Sequence, residues 1–424
     1  MLTKLKSNTF LAGSAIYLIS NILNAAIPFA LLPVLTRYLS PEEYGEVAMF
    51  QTLLGALTAF IGLSMHGAAV RKFYDGNLGE RDLQEFIAAC LQILLVTSLA
   101  TLAVVYIFND QLSQSLGLES RWILLAVFTT SATVIAGIRL GQWQVRKNAK
   151  CYGAMQVTKS LFNVSLSLLL VVVFLQGSGG RITAQVWAAG VFAIIALWLL
   201  KKDSMLRFFV WRPDFTLEAL RFGVPLIPHV GGVFLLMTVD RFVINSELGI
   251  AQVGIYMVAV QFAMAASLVF DAINKAYVPW LFERLKRNDE QEKRKIVRFT
   301  YIWYLFILGG AGLTFLLGPW LVTFVAGEKY AKAGDIVGWL MLGQVFNGMY
   351  LMVTNYIFFS KRTGLLSIAT MFSGVVNLVL LLILIRQFGL EGAAYAFCIS
   401  MGLRFLLTWF VAQKRHPMPW LKAF

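Results

Sequence analysis

Twelve apolar runs follow one another along this chain, and no other feature constrains its fold as strongly. They lie at about residues 9–36, 44–70, 84–108, 122–142, 152–175, 182–200, 219–243, 251–272, 299–317, 335–358, 364–385 and 391–411. A helix needs about 20 apolar residues to cross a bilayer. Most of the runs meet that length, and the weakest are 182–200 and 299–317. Hydrophobic residues are 58% of the 424 and charged residues only 14%, with a mean hydropathy of +0.72. A soluble chain carries about a quarter charged residues. The sequence therefore predicts an all-α membrane protein with about twelve transmembrane helices.

Lysine and arginine give the orientation, because they concentrate in cytoplasmic loops. Of the 36, 25 fall in loops on the side of the N-terminus. Six fall on the other side: Arg37, Arg121, Arg181, Lys329, Lys332 and Arg386. The remaining five, Arg139, Lys159, Arg221, Arg241 and Arg404, lie inside spans or at their ends. Both termini are expected in the cytoplasm. The net charge of +14 sits in loops, so its partners are anionic membrane lipids and not nucleic acid. The first run is too long for a signal-peptide core and lacks an Ala-x-Ala site, so it is expected to be retained. Pro28 and Pro33 are expected to kink it.

The stretch from Asp214 to Gly254 separates two similar halves. Pro225 and Pro228 predict a bent or locally unwound helix there. Tyr38-Leu39-Ser40-Pro41-Glu42-Glu43-Tyr44-Gly45 leads into the second span, and Glu247-Leu248-Gly249-Ile250-Ala251-Gln252-Val253-Gly254 into the eighth. The final glycines are 209 residues apart. Six spans per half is an even number, so both halves start on the same side. The reading is an N-terminal six-helix lobe with its linker over 1–212 and a C-terminal six-helix lobe over 213–424. A pseudo-two-fold axis along the membrane normal would relate them, with a cavity between. The charged loop 283–295 reads as an amphipathic surface helix.

Catalytic signatures are missing. There is no phosphate-binding Gly-rich loop, no nucleophile elbow and no cluster with metal-ligand spacing, so an enzyme is not expected. Cys90, Cys151 and Cys398 read as small apolar fillers. His229, after Pro228, reads either as a packed or interfacial residue or as one lining a lumen. The intramembrane charge is mainly positive, with Asp240 and Asp271 the only acids well inside spans. Such groups are costly in lipid unless they face a wet cavity or a partner. Lys159 and Asn163 share one helix face. Arg404 lies about 15 Å deep on a helical rise. Lys159, Arg241 and Arg404 are read as lining a polar cavity; Arg139, Arg221 and Asp271, nearer a cytoplasmic end, read slightly better as snorkelling. Asp240-Arg241 has a second reading, as a pair that holds a helix end. A cationic cavity suits an anionic substrate, and arginine binds phosphate bidentately.

At Thr36-Arg37-Tyr38-Leu39-Ser40-Pro41-Glu42-Glu43-Tyr44-Gly45 the chain resembles the bacterial polysaccharide flippases, the Wzx-type O-antigen and exopolysaccharide transporters. These belong to the multidrug/oligosaccharidyl-lipid/polysaccharide exporter (MOP) superfamily, which includes the MATE transporters. Later stretches agree in order: Gly67-Ala68-Ala69-Val70-Arg71-Lys72-Phe73-Tyr74, then Val239-Asp240-Arg241-Phe242-Val243-Ile244, then Ser373-Gly374-Val375-Val376-Asn377. The resemblance implies alternating access between two lobes and a MATE-like fold. Its substrate would be an oligosaccharide on undecaprenyl pyrophosphate, moved from the cytoplasmic to the periplasmic leaflet of the inner membrane. A polysaccharide polymerase and a chain-length regulator are implied partners. No cofactor is implied, although some relatives couple transport to H+ or Na+. The residues singled out for substrate are Arg37, Arg71, Arg139, Lys159, Asn163, Asp240, Arg241 and Arg404.

Two other readings predict different features. A cation-coupled multidrug antiporter of the same fold predicts buried acids that bind a cation. A membrane polysaccharide polymerase predicts a large external loop, which this sequence lacks. The cationic-cavity reading expects Arg241→Ala and Arg404→Ala to reduce transport without loss of protein from the membrane.

Overall fold

The structure is a computed structural model. It describes residues 29–75, 79–207, 209–360 and 364–422, together with Ser20, Ile22, Leu23, Asn24, Ala26 and Ile27. The start of the first predicted span, with Lys4, Lys6 and Pro28, lies outside the described residues, as do Lys361, Arg362 and the side chain of His229. Among the described residues every regular element is helical.

The helices are α1 (Ile22–Tyr38), α2 (Pro41–Leu57), α3 (Met65–Lys72), α4 (Glu80–Ile107), α5 (Asn109–Leu116), α6 (Ser120–Val145), α7 (Ala149–Leu168) and α8 (Gly177–Lys202). They continue with α9 (Pro213–Gly223), α10 (Ile227–Met237), α11 (Asp240–Leu248), α12 (Ile250–Lys286), α13 (Glu290–Ala326), α14 (Ala333–Phe359) and α15 (Gly364–Arg415). Among the described residues nine helical segments are long and apolar enough to cross a membrane. α15, at 52 residues, would be about 78 Å long if straight. It is not straight: Gly389 leaves helical geometry at φ 57°, ψ −133°. A Cβ on Gly392 would lie 2.1 Å from the carbonyl oxygen of Leu384. Eight residues apart in a continuous helix would be about 12 Å. The chain therefore folds back at Gly389, between the two last apolar runs.

Local chemistry explains other boundaries. α2 starts with a capping box: Ser40 N–H donates to Glu43 Oε2 at 2.8 Å, and Glu43 N–H donates to Ser40 Oγ at 3.2 Å, with Pro41 opening the helix. Pro225 breaks α9 from α10 through a 3₁₀ turn over Val224–Leu226, as its missing N–H requires. α1 runs through Pro33. The second span is itself broken between α2 and α3, where Gly62, Leu63 and Ser64 all take positive φ.

Three expectations need correction. The span at 182–200 is longer than its apolar core, because Arg181 is buried and hydrogen-bonded inside α8 instead of lying in a loop. The stretch 283–295 is no separate surface helix. It is the end of α12 and the start of α13, which lengthens the span at 299–317 as well. The Arg284–Glu292 ion pair joins its two arms, and Glu283, Glu290 and Glu292 pair with Arg287, Lys293 and Lys295. Cys151 is exposed on the first turn of α7, while Cys90 and Cys398 are buried.

The chain forms two compact units, Met1–Leu39 with Glu46–Gly231, and Ser40–Gly45 with Gly232–Phe424. In the first, α6 packs on α8, α3 and α4. Ala132 and Ala136 of α6 meet Ala189, Ala193 and Ala196 of α8, and small residues permit close helix approach. In the second, α14 is central and packs on α12, α13 and α15. Its buried face carries Val345, Met349, Tyr350, Val353 and Tyr356. The outer helices α7 and α13 leave most of their apolar length exposed, with Leu305, Phe306 and Leu316 each more than two thirds accessible. Apolar exposure on that scale belongs in lipid.

The second unit also contains a reciprocal contact. A Cβ on Gly45 would lie 2.0 Å from the carbonyl oxygen of Ile250, and one on Gly254 would lie 2.0 Å from that of Pro41. Only glycine permits that approach. Pro41 and Ile250 stand 209 residues apart, as do Gly45 and Gly254.

Candidate functional site

In the first unit the end of α3 and the body of α9 enclose a cavity of about 200 Å³. Ala68, Arg71 and Lys72 contribute from α3, Phe86 from α4, and Glu218, Arg221 and Phe222 from α9, with Asp75 at the rim. The three cations are not equivalent. Lys72 is buried and already paired: its Nζ donates to both carboxylate oxygens of Glu218 at 2.7 and 2.8 Å, and Asp75 lies 3.5 Å away. The rings of Phe86 and Phe215 flank the same ammonium at 5.2 and 5.3 Å. Arg71 and Arg221 are exposed and form no ion pair among the described residues. Arg71 lies over the ring of Phe222 at 5.3 Å.

A charged clasp sets α9 against α4. Arg212 binds Asp214 through Nε and Nη2 at 3.0 and 2.8 Å, and donates Nη1 to the buried Glu85 at 2.7 Å. Asp214 first and Glu85 second hold the Arg212 guanidinium above its ordinary pKa. Arg81 donates to the other Glu85 oxygen at 3.0 Å. The pocket thus has a fixed frame and two guanidinium groups with unspent donors. Planar guanidinium forks suit a phosphate or diphosphate.

The Asp240-Arg241 pair, in the second unit, is a closed knot at the α10–α11 junction. Both residues are buried. Asp240 Oδ1 accepts from Arg241 N–H at 3.0 Å and Nη1 at 2.7 Å, and Tyr256 donates to Oδ2. Arg241 also donates to the carbonyl of Met237 and to Met257 Sδ. The last turn of α10 leaves carbonyls without helical partners, and Arg241 fills one of them. Of the two readings of this pair, its contacts are those of the helix-end clasp.

Arg404 is different. It is 9% exposed, stacked on Tyr350 at 3.8 Å, with a 3.4 Å hydrogen bond to Asn347 Oδ1. Its Nε is buried without an acceptor, and it has no carboxylate among the described residues. Ser400 and Thr408, one turn to either side, also carry buried hydroxyls without a hydrogen bond in the structure.

The other singled-out residues divide between committed and free. Arg139 does not snorkel: it is 1% exposed, paired with Asp203, and stacked on Trp143 at 4.1 Å. Asn163 accepts from Arg181 Nη1 at 2.9 Å, and Ser167 accepts from the same nitrogen at 2.8 Å. Lys159, one turn from Asn163, is half-buried and pairs with no described residue. Arg37 is exposed at the end of α1. Arg71 and Arg221 are brought to one pocket; Arg139, Lys159 and Asn163 are elsewhere in the first unit, and Asp240, Arg241 and Arg404 are in the second. Sequence reasoning missed Arg221 as a partner of Arg71, and missed Lys72 and Glu218. The signal was Glu218-x-x-Arg221-Phe222 on one face of α9, but its partner on α3 lies 146 residues away.

Comparison with known proteins agrees with this architecture. Residues 10–285 match the family model described as "Polysaccharide biosynthesis protein". An uncharacterized membrane protein of Haemophilus influenzae is 27% identical, covering 87% of this chain and 89% of its own length. A probable low-salt glycan biosynthesis flippase of Haloferax volcanii is 22% identical, over 94% of this chain and 82% of its own. A putative O-antigen transporter of Shigella flexneri is 23% identical, over 92% and 95%. Among solved structures, the lipid II flippase MurJ in an inward closed conformation superposes with a TM-score of 0.74 at 16% identity, covering 95% of this chain and 87% of its own. An inward-facing MATE transporter of the MOP superfamily gives 0.71 at 17% identity, over 93% and 97%. A multi-pass membrane protein with the fold of the MOP exporters, this chain belongs to the polysaccharide biosynthesis protein family.

Proposed function

We propose that the chain is a flippase for oligosaccharide units linked to undecaprenyl pyrophosphate. It would carry them from the cytoplasmic to the periplasmic leaflet of the inner membrane, with both termini in the cytoplasm. The observation that carries this reading is the pocket in which Arg71 and Arg221 keep unspent donors beside the paired Lys72. A diphosphate headgroup supplies the missing anion, while the polyprenyl tail stays in lipid. Arg404, buried and without a carboxylate partner among the described residues, offers a second cation for an anionic group. An unpaired buried cation is costly, and a transiting anion lowers that cost.

The mechanism proposed is alternating access between two six-helix lobes, near 1–212 and 213–424. Counting α2–α3 as one broken span, adding α1 and dividing α15 at Gly389 supports a total of twelve spans. The reciprocal Gly45 and Gly254 contacts, at a spacing of 209 residues, support an internal two-fold repeat. A polysaccharide polymerase and a chain-length regulator would act on the exported unit. The antiporter reading is weaker, because it needs acids free to bind a cation. The buried acids among the described residues are Glu85 and Asp240, and both are spent on arginines.

The test is the leaflet location of lipid-linked units in cells lacking the protein. Complete single units trapped on the cytoplasmic face are expected. Accumulation on the periplasmic face would point to a polymerase, and no accumulation to the antiporter. Arg71→Gln with Arg221→Gln should reproduce the trapping at normal protein level, since both side chains are exposed.

A further inference from the structure

The second unit has a cleft that the proposed mechanism does not use. The fold-back at Gly389, the first turn of α14 and the start of α12 surround about 430 Å³, within the usual range for small-molecule sites. Gln252, Lys332, Asp335 and Glu391 line it, beside the ring of Phe388. Phe388 is 52% exposed and is backed by Tyr395 at 5.7 Å, which in turn rests on Trp339 at 4.9 Å. Tyr395 also donates to Glu391 Oε2 at 2.8 Å, which orients that carboxylate and leaves Oε1 to the cleft. Lys332 and Asp335 are three residues apart and line the same space, yet form no ion pair among the described residues.

This chemistry is unlike that of the arginine pocket. Two carboxylates against one lysine disfavour an anion. No group of three His, Cys, Asp or Glu among the described residues could hold a metal ion. An exposed aromatic ring beside carboxylate, amide and ammonium groups suits a neutral sugar ring. The apolar C–H face of a pyranose packs on the ring, its hydroxyls donate to carboxylates, and its oxygens accept from ammonium and amide. The cleft lies at the end of the unit away from the charged turn between α12 and α13. α12 starts beside it at Gln252 and reaches Arg284 near its far end, about 48 Å away on the helical rise. Basic residues mark the cytoplasmic side.

We propose that this cleft is a saccharide subsite on the periplasmic face, holding one or two neutral pyranose units of the glycan before release. The proposal rests on the flippase reading. The test places a single reporter cysteine, Leu390→Cys, in a Cys151→Ser background. Intact cells are treated with a membrane-impermeant maleimide. One strain makes the lipid-linked oligosaccharide; the other is blocked at the first glycosyl transfer.

Labelling from outside is expected in both strains. It should be about threefold slower in the producing strain if the glycan stands at about twice its dissociation constant. Asp335→Asn with Glu391→Gln, and separately Phe388→Ala, should abolish the difference. Labelling only after permeabilisation overturns the proposal, as do equal rates in the two strains or protection that survives those variants. If Leu390→Cys does not reach the membrane, Leu248→Cys on the opposite wall reports instead. The flippase reading is tested separately in the same cells. Periplasmic arrival of the glycan without the protein sinks that reading, whereas protein-dependent arrival with an unprotected cysteine sinks the subsite alone.

Discussion

At the α10–α11 junction, Arg241 is surrounded by acceptors: an aspartate, a helix-end carbonyl and a thioether. On α15, Arg404 has an aromatic ring, one long hydrogen bond and a buried Nε without a partner. Both are buried arginines of the same unit, and hydropathy treats them alike. The difference is where their charge is neutralised. Arg241 is neutralised when the chain folds, so it is part of the structure. Arg404 has no carboxylate partner among the described residues, and in the proposed mechanism its charge is left for a transiting anion. The same contrast separates Lys72, paired with Glu218, from Arg71 and Arg221 beside it.

The largest effect is expected at Arg241. Arg241→Ala leaves Asp240 as a buried, unpaired carboxylate, and losing one partner of such a pair costs about 3–5 kcal/mol. The expected result is loss of folded protein from the membrane, read by thermal stability of the solubilised protein and by membrane yield. Replacing both charges, Asp240→Asn with Arg241→Met, should recover much of the loss. This revises the expectation from sequence that Arg241→Ala spares the protein and lowers transport alone. Normal yield and stability for Arg241→Ala would mean that the knot is not structural.

Arg404→Gln should behave in the opposite way. It removes a costly charge and keeps a hydrogen-bonding group near Asn347, so stability should change by less than about 1 kcal/mol. Export should fall by roughly ten- to a hundredfold, the equivalent of one charge-assisted hydrogen bond of about 1.5–3 kcal/mol. The checks are periplasmic arrival of lipid-linked units and protein level, measured together. An Arg404→Gln protein that exports normally would remove Arg404 from the substrate path.

The helices were legible because their apolar runs are local. So was the break at Pro225, since a missing N–H acts on its own helix. The charges were less legible for the same reason. Whether Arg139 snorkels or is buried depends on Asp203, 64 residues away, and whether Lys72 is free depends on Glu218, 146 away. Counting basic residues placed Arg181 in a loop, whereas Asn163 and Ser167 draw it into α8. No periodicity marks the breaks at Gly62–Ser64, where three residues in succession take positive φ.

The smallest effects expected come from α7, where the contrast falls within a single turn. Asn163 serves Arg181, while Lys159 has no partner among the described residues. Asn163→Ala removes one of the acceptors of a buried guanidinium, and Ser167 remains. A cost of about 1–2 kcal/mol follows for an acceptor of a charged donor. Lys159→Gln removes a half-buried charge that no carboxylate among the described residues compensates, so the protein should be as stable as the parent or slightly more so. If Lys159 faces the path of an anion, export should fall two- to threefold, about 0.5 kcal/mol at the transition state. Thermal stability and export, measured on both variants, should therefore move in opposite combinations: stability down with export retained for Asn163→Ala, stability retained with export down for Lys159→Gln. A Lys159→Gln protein that loses stability would mean that its ammonium is already neutralised within the fold, and the division between committed and uncommitted cations would then fail on α7.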